Sequence, residues 1–264
     1  MEQKDRYGIF SLADKVIVVT GGTKKYGYYL CEGLAEAGGT VIVTSRDQER
    51  ATQTAQRWEE RGLKVFGYAY DQSRDDSIEE LVQKVLEDHG RIDVLVNNAR
   101  TIPQARAAEV TREQLNEAFN VNSVGLILMT RRVVEEMKRR GKGTIINIGS
   151  IYGMGGQDLG IYRNPESSIS LDYPIQKGGM IAYTQQLSTI LAHHGIRSNC
   201  LSLGGLDETC PDDEVFQKGY RRRTPLGRPA TGADVKGPIV FLASDASAYM
   251  TGANLVVDGG WAAW

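Results

Sequence analysis

Tyr173 and Lys177 stand four residues apart in Tyr173-Pro174-Ile175-Gln176-Lys177, a spacing that puts both on one face if the segment is helical. A phenol with a pKa of about 10 is a poor base at neutral pH, and an ammonium beside it favours phenolate. The pair is therefore a proton-transfer device. The same spacing recurs by chance in many proteins, so its meaning depends on its surroundings. A second group of residues reads Thr20-Gly21-Gly22-Thr23-Lys24-Lys25-Tyr26-Gly27 and joins an apolar run to a helical pattern. Glycines here permit a tight turn and close approach to a pyrophosphate seated on free amides at a helix N-terminus. The residues expected at a dinucleotide are Gly21, Thr23, Lys24, Lys25, Tyr26 and Gly27. About 20 residues on, where a ribose-reading carboxylate belongs, the chain reads Val43-Thr44-Ser45-Arg46. Without that carboxylate, Ser45 and Arg46, helped by Lys24, suit a 2′-phosphate, so NADP(H) is favoured over NAD(H).

These groups need a scaffold that brings strand ends and helix starts together. Short β-branched runs alternate with longer amphipathic ones, the βαβ rhythm. Strands are expected over Lys15–Thr20, Thr40–Thr44, Leu63–Ala69, Ile92–Val96, Thr144–Ile148, Arg197–Leu201 and Asn254–Val257. Several are apolar almost throughout, as parallel strands covered on both faces are. Between them, Leu30, Leu34 and Ala37, or Ile78, Leu81, Val82, Val85 and Leu86, carry helical spacing. No proline-rich linker and no repeat beyond the βαβ unit divides the 264 residues. One doubly wound α/β domain over 1–264 follows, with its ligand outside the carboxyl ends of the strands.

Composition excludes other classes. The chain is 41% hydrophobic and 24% charged, and 31 Lys+Arg against 33 Asp+Glu leave a net charge of -2, which gives no electrostatic reason to expect nucleic acid or a membrane surface as partner. Arg139–Arg140 and Arg221–Arg223 read as solvated helix faces. The charged start, MEQKDRYGIF, is unlike a signal peptide, and no apolar run approaches the roughly 18 residues of a membrane span, so a cytoplasmic protein is expected. Cys31, Cys200 and Cys210 share no metal spacing and read as free thiols. His89, His193 and His194 precede Gly90 and Gly195 and read as cationic groups at helix ends. No metal is expected.

Taken with further motifs, these features resemble the short-chain dehydrogenase/reductase family across essentially the whole chain. The matching residues are Thr20-Gly21 to Gly27, Asp71, Asn97-Asn98-Ala99, Asn122, Ser150 in Ile-Asn-Ile-Gly-Ser, Tyr173 with Lys177, and Val257-Asp258-Gly259-Gly260. The resemblance implies a Rossmann-type parallel sheet of seven strands in the order 3-2-1-4-5-6-7 with helices on both faces. It implies hydride transfer between NADP(H) and a secondary alcohol or ketone, with Tyr173 as general acid or base and Ser150 hydrogen-bonded to the substrate oxygen. Lys177 would hold the nicotinamide ribose, Asn122 would support a proton-relaying water, and Asp71 with Gln72 would meet the adenine. Asn98-Ala99 would rim the ribose, with Gly204 and Leu206 adding contacts after strand six. The alternative readings are structural: Ser150 as a turn residue, Asn122 as a helix-kink partner, Asn97-Asn98 as strand-to-loop glue. The family also implies a homotetramer, with the tail at Trp264 near a neighbouring subunit.

Three departures stand out. Lys25 replaces the family's middle glycine, where its side chain either grips the pyrophosphate or pushes it outward. Leu203 stands at the usual proline, and Thr209 falls one place late for the usual carboxamide contact. The segment between Ser150 and Tyr173 is long; it carries Tyr162, Arg163, Asn164 and Glu166 and reads as an inserted substrate-side loop over about 153–172, with Tyr152, Tyr162 and Arg163 as substrate contacts. That segment, Arg223-Thr224-Pro225-Leu226-Gly227-Arg228 and the closing Trp261-Ala262-Ala263-Trp264 resemble the branch associated with flagellin glycan and sialic-acid-like sugar synthesis, which implies a polar, sugar-derived substrate. Two other functions fit the motifs: reduction of a hydrophobic or secondary-metabolite ketone, and a catalytically silent cofactor-sensing protein.

Overall fold

A computed structural model describes residues 8–103, 109–165 and 171–264. The strands are β1 (Val16–Val19), β2 (Thr40–Ser45), β3 (Val65–Ala69), β4 (Val94–Asn97), β5 (Gly143–Ser150), β6 (Ile196–Leu203) and β7 (Asn254–Val257). They form one parallel sheet in the order β3-β2-β1-β4-β5-β6-β7. The order reverses between β1 and β4, where a crevice opens beyond the strand ends. β5 and β6 run longer than the apolar pattern indicates, in register to Ser150↔Leu203. The small and polar residues Asn147, Gly149 and Ser150 interrupt the hydrophobic run without interrupting the ladder, so β5 carries Ser150 on its last position. Leu203, at the family's usual proline, simply continues β6, which a residue lacking an N–H is poorly suited to do.

The helices are α1 (Lys25–Glu36), α2 (Gln48–Glu59), α3 (Asp75–His89), α4 (Arg112–Phe119), α5 (Leu126–Arg140), α6 (Asp172–Leu191), α7 (Glu214–Arg223) and α8 (Gly232–Ala243). Ile17 and Val19 of β1 point into a core with Leu30 and Leu34 of α1 and Ile239 and Leu242 of α8. Val16 and Val18 point the other way, against Leu81 and Val85 of α3, Val133 and Met137 of α5 and Leu187 of α6. Alternation along the strand thus serves two helical layers, which is why β1 reads as a continuous apolar run. A smaller cluster lies apart from both: Ile151, Ile161, Phe216, Tyr220 and Trp261, with Tyr152 and Tyr162 against it.

In that cluster Trp261 is buried in a ring stack on Tyr220, 4.8 Å between centroids, while Trp264 is open. The cluster corrects the expectation that Arg223 lies on a solvated face: its guanidinium lies over Trp261 and Trp264 and donates to the Trp264 carbonyl oxygen at 2.7 Å. Arg139 and Arg140 are exposed, as expected, beside Glu136 and Asp93. His89 ends α3 before the left-handed Gly90, but it packs on Phe66 and lies 3.1 Å from the Tyr68 hydroxyl. Burial lowers its pKa, so the neutral ring is favoured over the cation that a dipole argument suggests. His194 is shifted down as well, by desolvation and by His193 beside it. Cys31 and Cys200 are buried free thiols and Cys210 is half-buried. Among the described residues no helix is long and apolar enough to cross a membrane, and no group of His, Cys, Asp or Glu has the arrangement of a metal site.

Candidate functional site

The ends of β1, β4, β5 and β6 converge on one rim. At the first, Gly21 takes a left-handed φ of 65°, and a Cβ there would lie 2.9 Å from the Ala99 Cα. A Cβ on Gly27 would meet the Gly21 carbonyl oxygen at 2.4 Å. These two glycines let the turn, the β4 loop and the start of α1 touch backbone to backbone. Lys25 occupies the same left-handed region, with φ 53°, although it has a side chain. Such a conformation costs a non-glycine residue on the order of 1–3 kcal/mol and persists where surrounding structure imposes it. α1 starts with no side chain capping its first amides and no acidic residue in its first turn. Free amides, two lysines and a cradle that any Cβ would fill match the pyrophosphate of a dinucleotide.

Thr20 and Asn98 bind this turn to β4. The Thr20 hydroxyl accepts from the Asn98 and Ala99 amides at 2.9 and 3.0 Å, and Asn98 Nδ2 donates to the Thr20 and Gly21 carbonyls at 2.9 and 2.8 Å. The Asn98 side chain therefore does act as strand-to-loop glue, leaving backbone to form the rim. Asn97 is buried and donates to Thr130 and Asn147. Gln72 is likewise turned inward, donating to the Val121 carbonyl at 2.7 Å. Asp71 accepts from the Ser73 amide and hydroxyl; these bonds and nearby Arg46 outweigh its burial and hold its carboxyl below the usual range. Ser45 ends β2, and Arg46 is exposed beyond it, near Asp71 but in no close ion pair among the described residues. Thr23 is half-buried in the turn, while the Tyr26 hydroxyl donates to the Gly204 carbonyl at 3.0 Å, tying α1 to the end of β6. Leu206 is buried and bridged to Ala230, and Thr209 bonds back to Leu206.

The catalytic candidates sit on β5, α6 and the turn before α5. Ser150 closes β5, and its Oγ accepts from the Tyr152 amide at 3.2 Å. A Cβ on Gly153 would lie 2.7 Å from the Lys177 backbone, so the turn after Ser150 packs directly on α6. The long excursion from 153 to 172 therefore returns the chain to the point it left. Tyr173 lies in the first turn of α6, where Pro174 removes no helical hydrogen bond. Lys177, one turn on, is buried; its Nζ donates to the Ile148 carbonyl at 2.5 Å and stands 5.8 Å from the Tyr173 ring centroid. Burial, reinforced by the Arg100 charge, lowers its pKa to about 7. Asn122 lies in a π-helical turn, Asn120–Gly125, a local underwinding that re-aims side chains. Its amide holds the Thr101 backbone on both sides at 2.8 Å and donates to Gln176 Oε1 at 2.5 Å; Gln176 in turn donates to Asp172. The kink reading of Asn122 is thus present in the structure, and its side chain links the β4 loop to the helix carrying Tyr173 and Lys177.

The substrate candidates divide. Tyr152 approaches Tyr173 edge-on, 6.4 Å between centroids, and its hydroxyl is 3.2 Å from that of Tyr162. Tyr162 also packs on Phe216, and Ile161 is buried against α7, so the intervening segment is anchored by apolar contacts as well as being polar. Arg163 faces outward and pairs with Asp213 at 3.0 Å. Glu166 lies outside the described residues. A cavity of about 120 Å³ opens beside the ends of β6 and β7, lined by Gly204, Gly205, Tyr220 and Asp258. A second hollow, about 220 Å³ between α3 and α5, is lined by charged side chains and lies far from the strand ends.

One participant escaped the sequence reading. Arg100 places its guanidinium 5.2 Å from the Tyr173 ring centroid. The signal was a lone cation immediately after Asn97-Asn98-Ala99, at the point where strand order reverses. It also lowers the pKa of Lys25, second only to desolvation there.

Residues 26–262 match the family model described as Enoyl-(Acyl carrier protein) reductase. The chain is 33% identical to the 3-oxoacyl-[acyl-carrier-protein] reductase FabG of Thermotoga maritima, covering 94% of this chain and 98% of that protein. It is 30% identical to the 2-dehydro-3-deoxy-D-gluconate 5-dehydrogenase of Formosa agariphila, over 96% and 94% of the two chains. Among solved structures, a gluconate 5-dehydrogenase from Burkholderia cenocepacia, in complex with NADP and tartrate, superposes with a TM-score of 0.86 at 28% identity, covering 97% of this chain and 98% of that one.

Proposed function

This chain belongs to the short-chain dehydrogenase/reductase family, and from that premise we propose that it oxidises or reduces a polar, sugar-derived alcohol or ketone with NADP(H), using Ser150, Tyr173 and Lys177. The observation that carries this reading is the return of the chain to α6: Ser150 at the end of β5 and Tyr173 in the first turn of α6 share one rim, with buried Lys177 behind them. When bound, the nicotinamide supplies or accepts the hydride at the reacting carbon. Ser150 Oγ, at the end of β5, donates to the substrate oxygen. The Tyr173 hydroxyl gives or takes the proton on that oxygen. Lys177 faces the ribose and keeps positive charge near the phenol. Asn122, whose side chain holds Thr101 and Gln176, acts as a positioning residue.

Arg46, with Ser45 and Lys24, supports NADP(H) over NAD(H), and the gluconate 5-dehydrogenase neighbour bound NADP. Two of the named relatives are dehydrogenases of gluconate-type molecules, which agrees with a hydroxylated substrate and with the sugar-branch motifs. Tyr152 and Tyr162 wall the substrate side from the 153–172 segment. The protein works as a single catalytic domain, assembled as a homotetramer in the cytoplasm. The test is a panel of ketones and sugar alcohols followed by nicotinamide absorbance, with NADPH and NADH titrated in parallel. Turnover falls by roughly 10²–10⁴-fold in Tyr173→Phe, the range of a general acid–base group, while NADPH binding persists. Equal activity in that variant defeats the mechanism, and tighter NADH binding defeats the cofactor preference.

A further inference from the structure

We infer that Arg100 is an anion receptor inside the reactive cleft, and that the molecule transformed beside Tyr173 carries a carboxylate close to its reacting carbon. The inference rests on the oxidoreductase reading above and specifies the class of its substrate.

Arg100 follows β4 at the point where strand order reverses, and its guanidinium lies over the Tyr173 ring. It is exposed. Arg132 is matched to Glu79 and Glu136, Arg163 to Asp213 and Arg228 to Asp234, whereas Arg46 and Arg197 have no ion-pair partner among the described residues. Arg100 has no such partner among the described residues. Its charge is felt at Lys177 on one side and at Lys25 on the other, so positive charge gathers around the Tyr173 ring. Glu208 is the carboxylate that acts on Lys25, and it accepts from the Tyr29 hydroxyl at 3.0 Å. No carboxylate acts on Lys177 in that way. A cleft lined by one sign of charge concentrates a ligand of the other sign.

Which anion it receives follows from position. The phosphates of a dinucleotide have their own cradle in the Gly21–Gly27 turn, the open start of α1, Lys24 and Lys25. Arg100 stands instead on the tyrosine, where a reactant must lie to exchange a proton with the hydroxyl. A planar guanidinium presents two parallel donors to a carboxylate and fixes its direction, which a point charge does not. Stacked on the phenol ring, it orients an acid so that the neighbouring carbinol or carbonyl carbon faces Ser150 and Tyr173.

The test uses tartrate as the carboxylate probe and the NADP-loaded enzyme. Calorimetry shows tartrate binding weakened ten- to hundredfold by Arg100→Gln, the equivalent of one charge-assisted hydrogen-bonded contact of about 1.5–3 kcal/mol. In kinetics, for a hydroxy acid turned over by the wild type and its methyl ester, the acid-to-ester ratio of kcat/KM falls by a similar factor. Unchanged tartrate binding with an unchanged ratio overturns the inference. So does NADPH binding weakened as much as tartrate binding, which makes the cofactor phosphates the partner of Arg100. Failure of the oxidoreductase reading looks different: no alcohol or ketone turns over, or Tyr173→Phe is fully active, and the calorimetry, which needs no turnover, still decides Arg100.

Discussion

Replacing Lys25 with glycine separates the two things this residue does. Its backbone sits at φ 53°, and a left-handed L-residue costs roughly 1–2 kcal/mol. Glycine relieves that strain but brings about 0.5–1 kcal/mol of extra backbone entropy in the unfolded chain. The difference leaves Lys25→Gly more stable by about 0.5–1 kcal/mol, and relief of the repulsion from Arg100 and Lys24 acts in the same direction. For a chain somewhat above 150–250 residues this raises Tm by about 1–4 °C. A lysine that grips a pyrophosphate contributes one charge-assisted hydrogen bond of about 1.5–3 kcal/mol, so NADPH binding weakens by about ten- to hundredfold. Differential scanning fluorimetry of the cofactor-free protein and a fluorescence titration with NADPH read the two effects independently. Lys25→Ala is the matched control, because it removes the ammonium and keeps the strain; affinity falls with a smaller gain in Tm than in Lys25→Gly. A lower Tm in Lys25→Gly refutes the strain argument, and unchanged NADPH affinity in both variants shows that the side chain does not grip the phosphates.

Lys177 gives the cofactor-free protein a pH dependence whose sign is fixed. Its folded pKa is lowered to about 7 from 10.5, so between those values the unfolded chain binds more protons and stability rises with pH. Urea unfolding from pH 7 to 10 shows Lys177→Met flattening that rise, and Arg100→Gln moving its onset to higher pH; a Met variant with the wild-type profile assigns the rise to other groups. The homotetramer is checked by light scattering at micromolar concentration, where a mass matching one chain rejects it.

The sheet was legible because its buried strands are apolar runs separated by helical spacing, while the strand order came from the family resemblance. Boundaries were less so. β5 ends in Asn147, Gly149 and Ser150, chosen for what they contact rather than for hydrophobicity, and the apolar pattern stops before the strand does. Tyr173 and Lys177 stood out as a pair by type and spacing, while Ser150 entered only through the family resemblance, since a serine at a strand end has no signature of its own. What stayed hidden depends on partners distant in sequence. Gln176 was simply the residue before Lys177 until its link to Asn122 closed at 2.5 Å. Arg163 read as a substrate contact until Asp213 came beside it. Arg100 reads as a solvated charge until the fold sets it on Tyr173. Trp261 looked like a tail residue because nothing in the last few positions announces the ring of Tyr220 beneath it.

The small cluster of Ile151, Ile161, Phe216, Tyr220 and Trp261 lies apart from both cores beneath the sheet. Its members come from three stretches of chain far apart in sequence, and they meet around the segment between Ser150 and Tyr173, with Tyr220 also accepting from the Gly205 amide. That separation makes the segment a replaceable module. Substitutions there alter what the cleft admits while the β1–β4–β5 framework keeps its packing, so new specificities can be selected on this scaffold without first acquiring compensating stability. A library confined to this cluster and to Tyr152 and Tyr162 is the compact place to look for them.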